Sequence, residues 1–294
     1  MSGLYLACDE VDVGFRDFED AWIQDAWTDP FLRGAWLVRD ERGEPAAYLE
    51  IESIDPSAAI DSWIAVHPRH RDGPLRDALL VFVEDQASEI SGAEPITILT
   101  SGTATDPSFQ PAALRAGFHH VRTFWHMERP VDATYRSGRP PEGVDIRSVS
   151  DPKDEHRAFE VLDEAFHGHF GSVHMPYEEW RRRNDVSLSD PSLVQLAWVG
   201  DVVAGAVTAR VPGDQGWIDD LGVRPAFRGR GIGAALLQTA FAALAGKGVS
   251  RVRLNVDSEN ESGATRLYAS VGMTVRRAFL VYEKALDPAV SSAP

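Results

Sequence analysis

The chain has 294 residues, enough for two domains of ordinary size that each bury a core of their own. Its 45 acidic residues against 29 basic ones give a formal charge of −16, a field that repels phosphate backbones and anionic lipid surfaces and draws in cations, so nucleic acid and membrane are excluded as expected partners. Cys8 is the only cysteine, which rules out an intramolecular disulfide and a multi-cysteine zinc cluster and fits a reducing cytoplasm, and neither an export signal nor an apolar run of about 18 residues occurs.

In chain order, the first feature is a segment that returns later. Val66-His67-Pro68-Arg69-His70-Arg71 leads into Pro74-Leu75-Arg76-Asp77-Ala78-Leu79-Leu80, and Val223-Arg224-Pro225-Ala226-Phe227-Arg228 leads into Gly231-Ile232-Gly233-Ala234-Ala235-Leu236-Leu237 at a constant offset. Ala113-Leu114-Arg115-Ala116-Gly117-Phe118 likewise matches Tyr268-Ala269-Ser270-Val271-Gly272-Met273. Two copies of one fold in tandem follow from this repeat. The stretch from Arg129 to Gly143, rich in Pro, Gly and polar residues, reads as an exposed connection between them.

The second half opens with an expected strand at Asp145–Val149 and a helix over Asp151–Phe166, with Ser150 as N-cap and Pro152 in the first turn. A second helix is expected over Tyr177–Asn184. Leu193–Val199 and Val202–Val211 read as strands joined at Gly200-Asp201, and Trp217–Val223 as the next strand. Leu236, Leu237, Ala240, Phe241 and Leu244 recur at helical spacing from Gly231 to Leu244, and Gly246 and Gly248 end that helix. Arg251–Val256 is expected as a strand, Ser262–Ser270 as a helix, and Met273–Lys284 as one or two further strands. The order is mixed α/β and does not alternate βαβ throughout.

Between the Trp217 strand and the Gly231 helix runs Arg228-Gly229-Arg230-Gly231-Ile232-Gly233. Its backbone amides can converge on an anion at the positive end of the helix dipole, and a diphosphate suits such a place. A Walker loop needs a Gly-Lys-Ser/Thr ending that is missing, and a dinucleotide fingerprint needs G-x-G-x-x-G where these glycines alternate.

The run from Leu221 through Gly233, with Val223-Arg224-Pro225 before the loop, resembles the signature Arg/Gln-x-x-Gly-x-Gly/Ala of the GNAT superfamily of N-acetyltransferases. Asn260, Leu267-Tyr268 and Gly272-Met273 resemble a second element of that superfamily, although Asn260 and Tyr268 are one position further apart than in many members and Met273 stands for the commoner Phe. The tandem arrangement is similar to that of the mycothiol synthases. The resemblance implies two GNAT domains, each a mostly antiparallel mixed sheet flanked by helices: a degenerate domain over 1–130, a linker over 131–143, a catalytic domain over 144–287 and a flexible tail over 288–294. It also implies acetyl-CoA as donor, held by Leu221, Gly222, Val223, Arg228, Gly229, Arg230, Gly231, Ile232, Gly233, Ala234 and Asn260, with Tyr268 as acid for the departing thiolate.

An acid on the Trp217 strand commonly serves as base in such enzymes. Asp219 and Asp220 are the candidates, expected on opposite faces unless a bulge intervenes, and Asp219 is narrowly preferred. In the first half Asp72, Pro74 and Arg76 stand where Gly229, Gly231 and Gly233 stand in the second, and Ala113 replaces Tyr268, so coenzyme binding and chemistry are both expected to fail there. His167, His169, Glu178 and Glu179 lie where a substrate lid is expected. With His174 the histidines lack metal-ligand spacing, so no metal is expected. The expected reaction is acetyl transfer to a primary amine of a small molecule, by a monomer or homodimer. Transfer to a protein or peptide amine, and a CoA-binding sensor without turnover, stay open.

Overall fold

The computed structural model describes residues 1–17, 26–29, 31–53, 59–92, 94–170, 175–260 and 262–286. His174 and the tail over 288–294 lie outside them. Residue contacts divide the chain into two compact units. The first comprises Met1–Trp125, Asp257–Glu259 and the chain from Arg277 onward; the second comprises His126–Val256 and Asn260–Arg276.

The first unit begins with helix α1 (Ser2–Asp12) and strands β1 (Leu32–Arg39), β2 (Pro45–Glu52) and β3 (Ala59–Val66). Helix α2 (Leu75–Ser91), β4 (Ile96–Thr103), α3 (Phe109–Arg115) and the start of β5 (His119–Pro130) follow. β1, β2 and β3 form an antiparallel meander, and β3 pairs in parallel with β4. Leu79, Leu80, Val83 and Ala87 are buried at helical spacing along α2 and close a core with Ile51, Ile60, Ile98 and Phe109.

The second unit runs through β6 (Val144–Ser148), α4 (Pro152–Phe166), α5 (Tyr177–Arg183), the short α6 (Asp185–Leu188), β7 (Val194–Val199), β8 (Val202–Arg210) and β9 (Gly216–Val223). It continues with α7 (Ile232–Gly246), β10 (Arg251–Asp257), α8 (Ala264–Ser270) and the start of β11 (Thr274–Leu286). The strand order is β5-β10-β9-β8-β7-β6, antiparallel from β6 to β9 and parallel between β9 and β10. One face is covered by α4, whose Ala158, Val161 and Leu162 meet Ala206 and Leu196. The other is covered by α7, whose buried Leu236 and Leu244 lie against Gly205 and Gly216. This is a mixed α/β fold in which mostly antiparallel sheets are flanked by helices. Among the described residues no helix is long and apolar enough to cross a membrane.

Three expectations need correction. The stretch over 131–143 is no free connection: Val131 N–H donates to Ser250 O at 3.0 Å, Gly138 N–H donates to Gln238 Oε1 at 3.3 Å, and the Tyr135 ring packs edge-on against Phe241. Residues 126–143 therefore group with the second unit. At the other end β11 runs on past Arg276 and pairs antiparallel with β4, from Phe279 opposite Thr103 to Leu286 opposite Ile96, so the end of the chain completes the first unit rather than the second. Finally, Asp151 caps α4 by accepting from Asp154 N–H at 3.0 Å, while the Ser150 hydroxyl donates to the Asp154 carboxylate at 2.9 Å.

Candidate active site

The site is built on a break in β9. β10 pairs with β9 only at Gly216 and Trp217, after which the parallel strands part and leave the β10-facing edge of Ile218–Val223 without that partner. On the other edge Thr208 pairs with Asp220 and Ala209 with Ile218, so Asp219 is an extra residue in β9. This is a β-bulge, and it reverses the alternation of side chains. A Cβ added at Gly216 would meet Leu244 of α7 at 2.9 Å, whereas one added at Gly222 would meet Ala165 of α4 at 2.8 Å, although the two residues have the same parity.

The bulge corrects the expectation that the two aspartates take opposite faces: both lie on the side of the sheet that carries α4. Asp219 is pinned by Arg210 Nε at 2.7 Å and by the Ser187 hydroxyl at 2.9 Å. Asp220 N–H donates to the Thr208 hydroxyl at 3.1 Å. Burial, and after it the charge of Asp219, pushes the Asp220 carboxyl up to about 6, with Arg183 and the Thr208 hydroxyl pulling the other way. Of the two, Asp220 has the acidity of a proton acceptor working near neutral pH, and Asp219 the bonds of a fixed anion.

Tyr268 projects from α8 and is 8% exposed. Its hydroxyl has no hydrogen-bond partner among the described residues. Burial, and after it the charge of Asp220, raises its pKa well above the ordinary phenol value, so it keeps its proton.

The loop before α7 meets the geometry its glycines suggest. Gly229 and Gly231 have φ of 76° and 77°, a left-handed conformation that a side chain strains. Gly231 is the N-cap of α7 and supplies no side-chain bond, and the first turn carries no acid. Among the described residues the amides of Gly229, Arg230, Gly231, Ile232, Gly233 and Ala234 donate to no acceptor. Gly233 has a different reason to be glycine, because a Cβ there would lie 3.0 Å from Leu267. Arg228 turns inward, with Nε on Val223 O at 3.1 Å and Nη2 on Ala165 O at 3.3 Å. Arg230 lies over the Phe227 ring. Leu221, Gly222 and Val223 form the end of β9 beside the splay.

The other candidates are scattered. Asn260 Oδ1 accepts from Ser262 N–H at 2.9 Å and from the Ser262 hydroxyl, which fixes the turn ahead of α8. His167 is exposed just after α4, and His169 packs its ring on Phe166. On α5 Glu178 is exposed and Glu179 pairs with Arg182 at 3.6 Å. No group of three or more His, Cys, Asp or Glu among the described residues is placed to hold a metal ion. Sequence reading missed Arg210, Ser187 and Thr208; alternation along Ala206, Thr208 and Arg210 marked a shared face, but nothing in it named the strand opposite.

Comparisons with known proteins place the fold in a family. The acetyltransferase (GNAT) family model matches residues 156–273. A mycothiol acetyltransferase of Kineococcus radiotolerans is 32% identical over 242 residues, covering 81% of this chain and 77% of that protein. One of Stackebrandtia nassauensis is 31% identical over 257 residues, covering 85% and 82%. The chain belongs to the GNAT acetyltransferase family. A crystal structure of a GCN5-related N-acetyltransferase from Sphaerobacter thermophilus, 30% identical, superimposes with a TM-score of 0.86 over 98% of this chain and 92% of that one. A tandem GNAT protein from the clavulanic acid biosynthesis pathway, 14% identical, shares the fold with a TM-score of 0.72. The protein is thus an N-acetyltransferase of a family that draws on acetyl-CoA, with the tandem architecture.

The first unit differs from the second at the matching places: its strands stay paired and an arginine fills the place of Gly233. β3 and β4 stay paired from Ala59 to Trp63, the position that corresponds to Asp220, and the Ser62 hydroxyl donates to Leu99 O at 3.1 Å. Arg76, where the second copy has Gly233, is 2% exposed. Its guanidinium donates to the Asp106 carboxylate, to the Ser108 hydroxyl at 3.1 Å and to Ile64 O at 3.3 Å. Arg71 beside it pairs with Asp12 at 2.9 Å. Asp72 and Pro74 line a pocket of about 460 Å³ together with Arg71, Arg76 and Ser108 of this network.

Proposed function

We propose that the second unit transfers acetyl from acetyl-CoA to a primary amine of a small molecule by direct attack in a ternary complex. The observation that carries this reading is the run of α7-loop amides without acceptors beside the edge of β9 left free where β9 and β10 part, with Asp220 on that part of β9 and within electrostatic reach of Tyr268. Those amides suit the diphosphate of the coenzyme, and the unpaired edge of β9 at Leu221 and Val223 suits its pantetheine. The coenzyme supplies an activated acyl thioester.

The residues of the chain supply position and two proton transfers. A lysine-like amine with pKa near 10.4 is neutral in only about one molecule in a few thousand at pH 7. Asp220, directly or through water, removes a proton from the amine as its nitrogen bonds to the acyl carbon. Tyr268 gives its proton to the sulfur as the carbon–sulfur bond breaks. Asp219, held by Arg210 and the Ser187 hydroxyl, contributes the nearby charge that helps to raise the Asp220 value and so strengthens it as a base. The relatives called mycothiol acetyltransferase favour a small-molecule acceptor over a peptide.

Thiol release from acetyl-CoA, measured against panels of small amines and of lysine or N-terminal peptides, tests the reading. Acceleration by a small amine alone supports it. Release with peptides only, or CoA binding without release for any acceptor, refutes it.

A further inference from the structure

The stretch before β6 lies along α7 in the direction of the coenzyme loop. Arg129 lies over the rings of Tyr135 and Phe241, with its guanidinium carbon 4.9 Å and 5.0 Å from their centres. Gly138 N–H is held by Gln238 of α7, and Pro141 Cγ lies 3.4 Å from where a Cβ on Gly231 would be. Pro141 O then accepts from Val144 N–H at 3.0 Å and turns the chain into β6. The chain is therefore held to α7 at Gly138 and passes beside the N-cap of α7 at Pro141, and Arg139 is two residues, at most about 7 Å of extended backbone, from Pro141.

Arg139 differs from the arginines around it. Arg228 donates to two backbone carbonyls and Arg230 donates to Ala226 O and covers Phe227. Arg136 donates to Ala133 O and Tyr135 O. Arg139 is exposed and makes no ion pair or hydrogen bond with any described residue. It is a charged group with no protein partner, fixed by its backbone beside a loop of amides that also lack acceptors. The coenzyme carries a diphosphate and a 3′-phosphate, about four negative charges, and must approach a protein whose formal charge is −16. Neutral amides offset little of that repulsion, and Arg228 and Arg230 are engaged by backbone carbonyls, whereas an uncommitted guanidinium binds phosphate oxygens in pairs.

We propose that Arg139, from the stretch of the second unit that precedes β6, is a phosphate-binding residue for coenzyme A. The proposal rests on the acetyl-CoA reading above and extends it: the Arg129–Pro141 stretch forms one wall of the coenzyme site, and Pro141 sets the distance between that wall and Gly231.

Calorimetric titration of the full-length protein with CoA and with 3′-dephospho-CoA tests this. Arg139→Ala should weaken CoA binding roughly tenfold, and the loss in steady-state assays should fall in KM for acetyl-CoA rather than in kcat. If the variant and the wild type bind 3′-dephospho-CoA alike, the 3′-phosphate is the partner; if both ligands lose affinity equally, it is the diphosphate. Arg136→Ala, which removes a neighbouring exposed arginine turned toward its own backbone, should bind CoA as the wild type does. Arg139→Ala binding CoA within twofold of the wild type would overturn the proposal and leave the acetyl-CoA reading standing. A wild-type protein that binds no CoA would overturn both.

Discussion

Asp219 and Asp220 share one face of β9 because the bulge sets both opposite the single residue Thr208, and Asp220 is pushed up by burial first and by the charge of Asp219 second, while Arg210 pairs with Asp219. The pH dependence follows. Asp220 acts when ionised, so kcat/KM should rise with pH through about 6. Asp219→Asn removes a negative charge that raises the Asp220 value, so this limb should move to lower pH; burial, the larger cause, persists and keeps it above the ordinary carboxylate range. Asp220→Asn should abolish the limb and lower kcat by about 10²–10⁴. A limb that stays in place in Asp219→Asn, or survives in Asp220→Asn, removes Asp220 from the base role.

The same carboxylate has a stability signature. Its folded value, about 6, lies above its unfolded value, so relative to the unfolded chain it favours the folded state most below pH 3.8 and turns against it as pH rises through about 6. Asp220→Asn should therefore stabilise the protein at pH 7.5 by about 1–2 kcal/mol, a figure discounted for partial solvent access. Thermal melts of both proteins between pH 4 and 8 should diverge as pH rises. Parallel melting curves would mean that the Asp220 carboxyl is not perturbed.

Tyr268 separates chemistry from folding in a simple way. Its ring is buried but its hydroxyl bonds to no described residue, so Tyr268→Phe removes no internal hydrogen bond, and stability should change by less than about 0.5 kcal/mol. If the hydroxyl protonates the departing thiolate, kcat should fall by about 10–100-fold with KM for acetyl-CoA unchanged. Unchanged kcat excludes that role.

Residue types revealed much of the fold, and pairing revealed the rest. The apolar spacing along α4 and α7 and the turn at Gly200 are local patterns, as is the need for glycine at 229 and 231, where φ is positive. The bulge at Asp219 depends on the register between β8 and β9, which a period of two along one strand does not contain. β11 is legible as a strand over Met273–Lys284, but not as a partner of β4, because the same alternating pattern satisfies any neighbour with a matching face. Arg76 was visible as a loss of glycine; its burial against Asp106 was not, since the two are 30 positions apart.

That ion pair supports the last prediction, which concerns whether the first copy is merely missing its glycines or is closed by construction. Removing one member of a buried pair leaves the other charge uncompensated, so Asp106→Ala should destabilise the protein by about 3–5 kcal/mol, seen as a lower denaturant midpoint. Arg76→Gly restores the residue type of Gly233 and clears the space, yet β3 and β4 remain zipped through Trp63, where β9 and β10 have already parted. A slot for pantetheine needs that separation as well as an open loop. Titration of Arg76→Gly with CoA should therefore show no second binding event beyond that of the wild type. A second event would mean that the arginine alone keeps the first copy shut, and that the paired strands can open once it is gone.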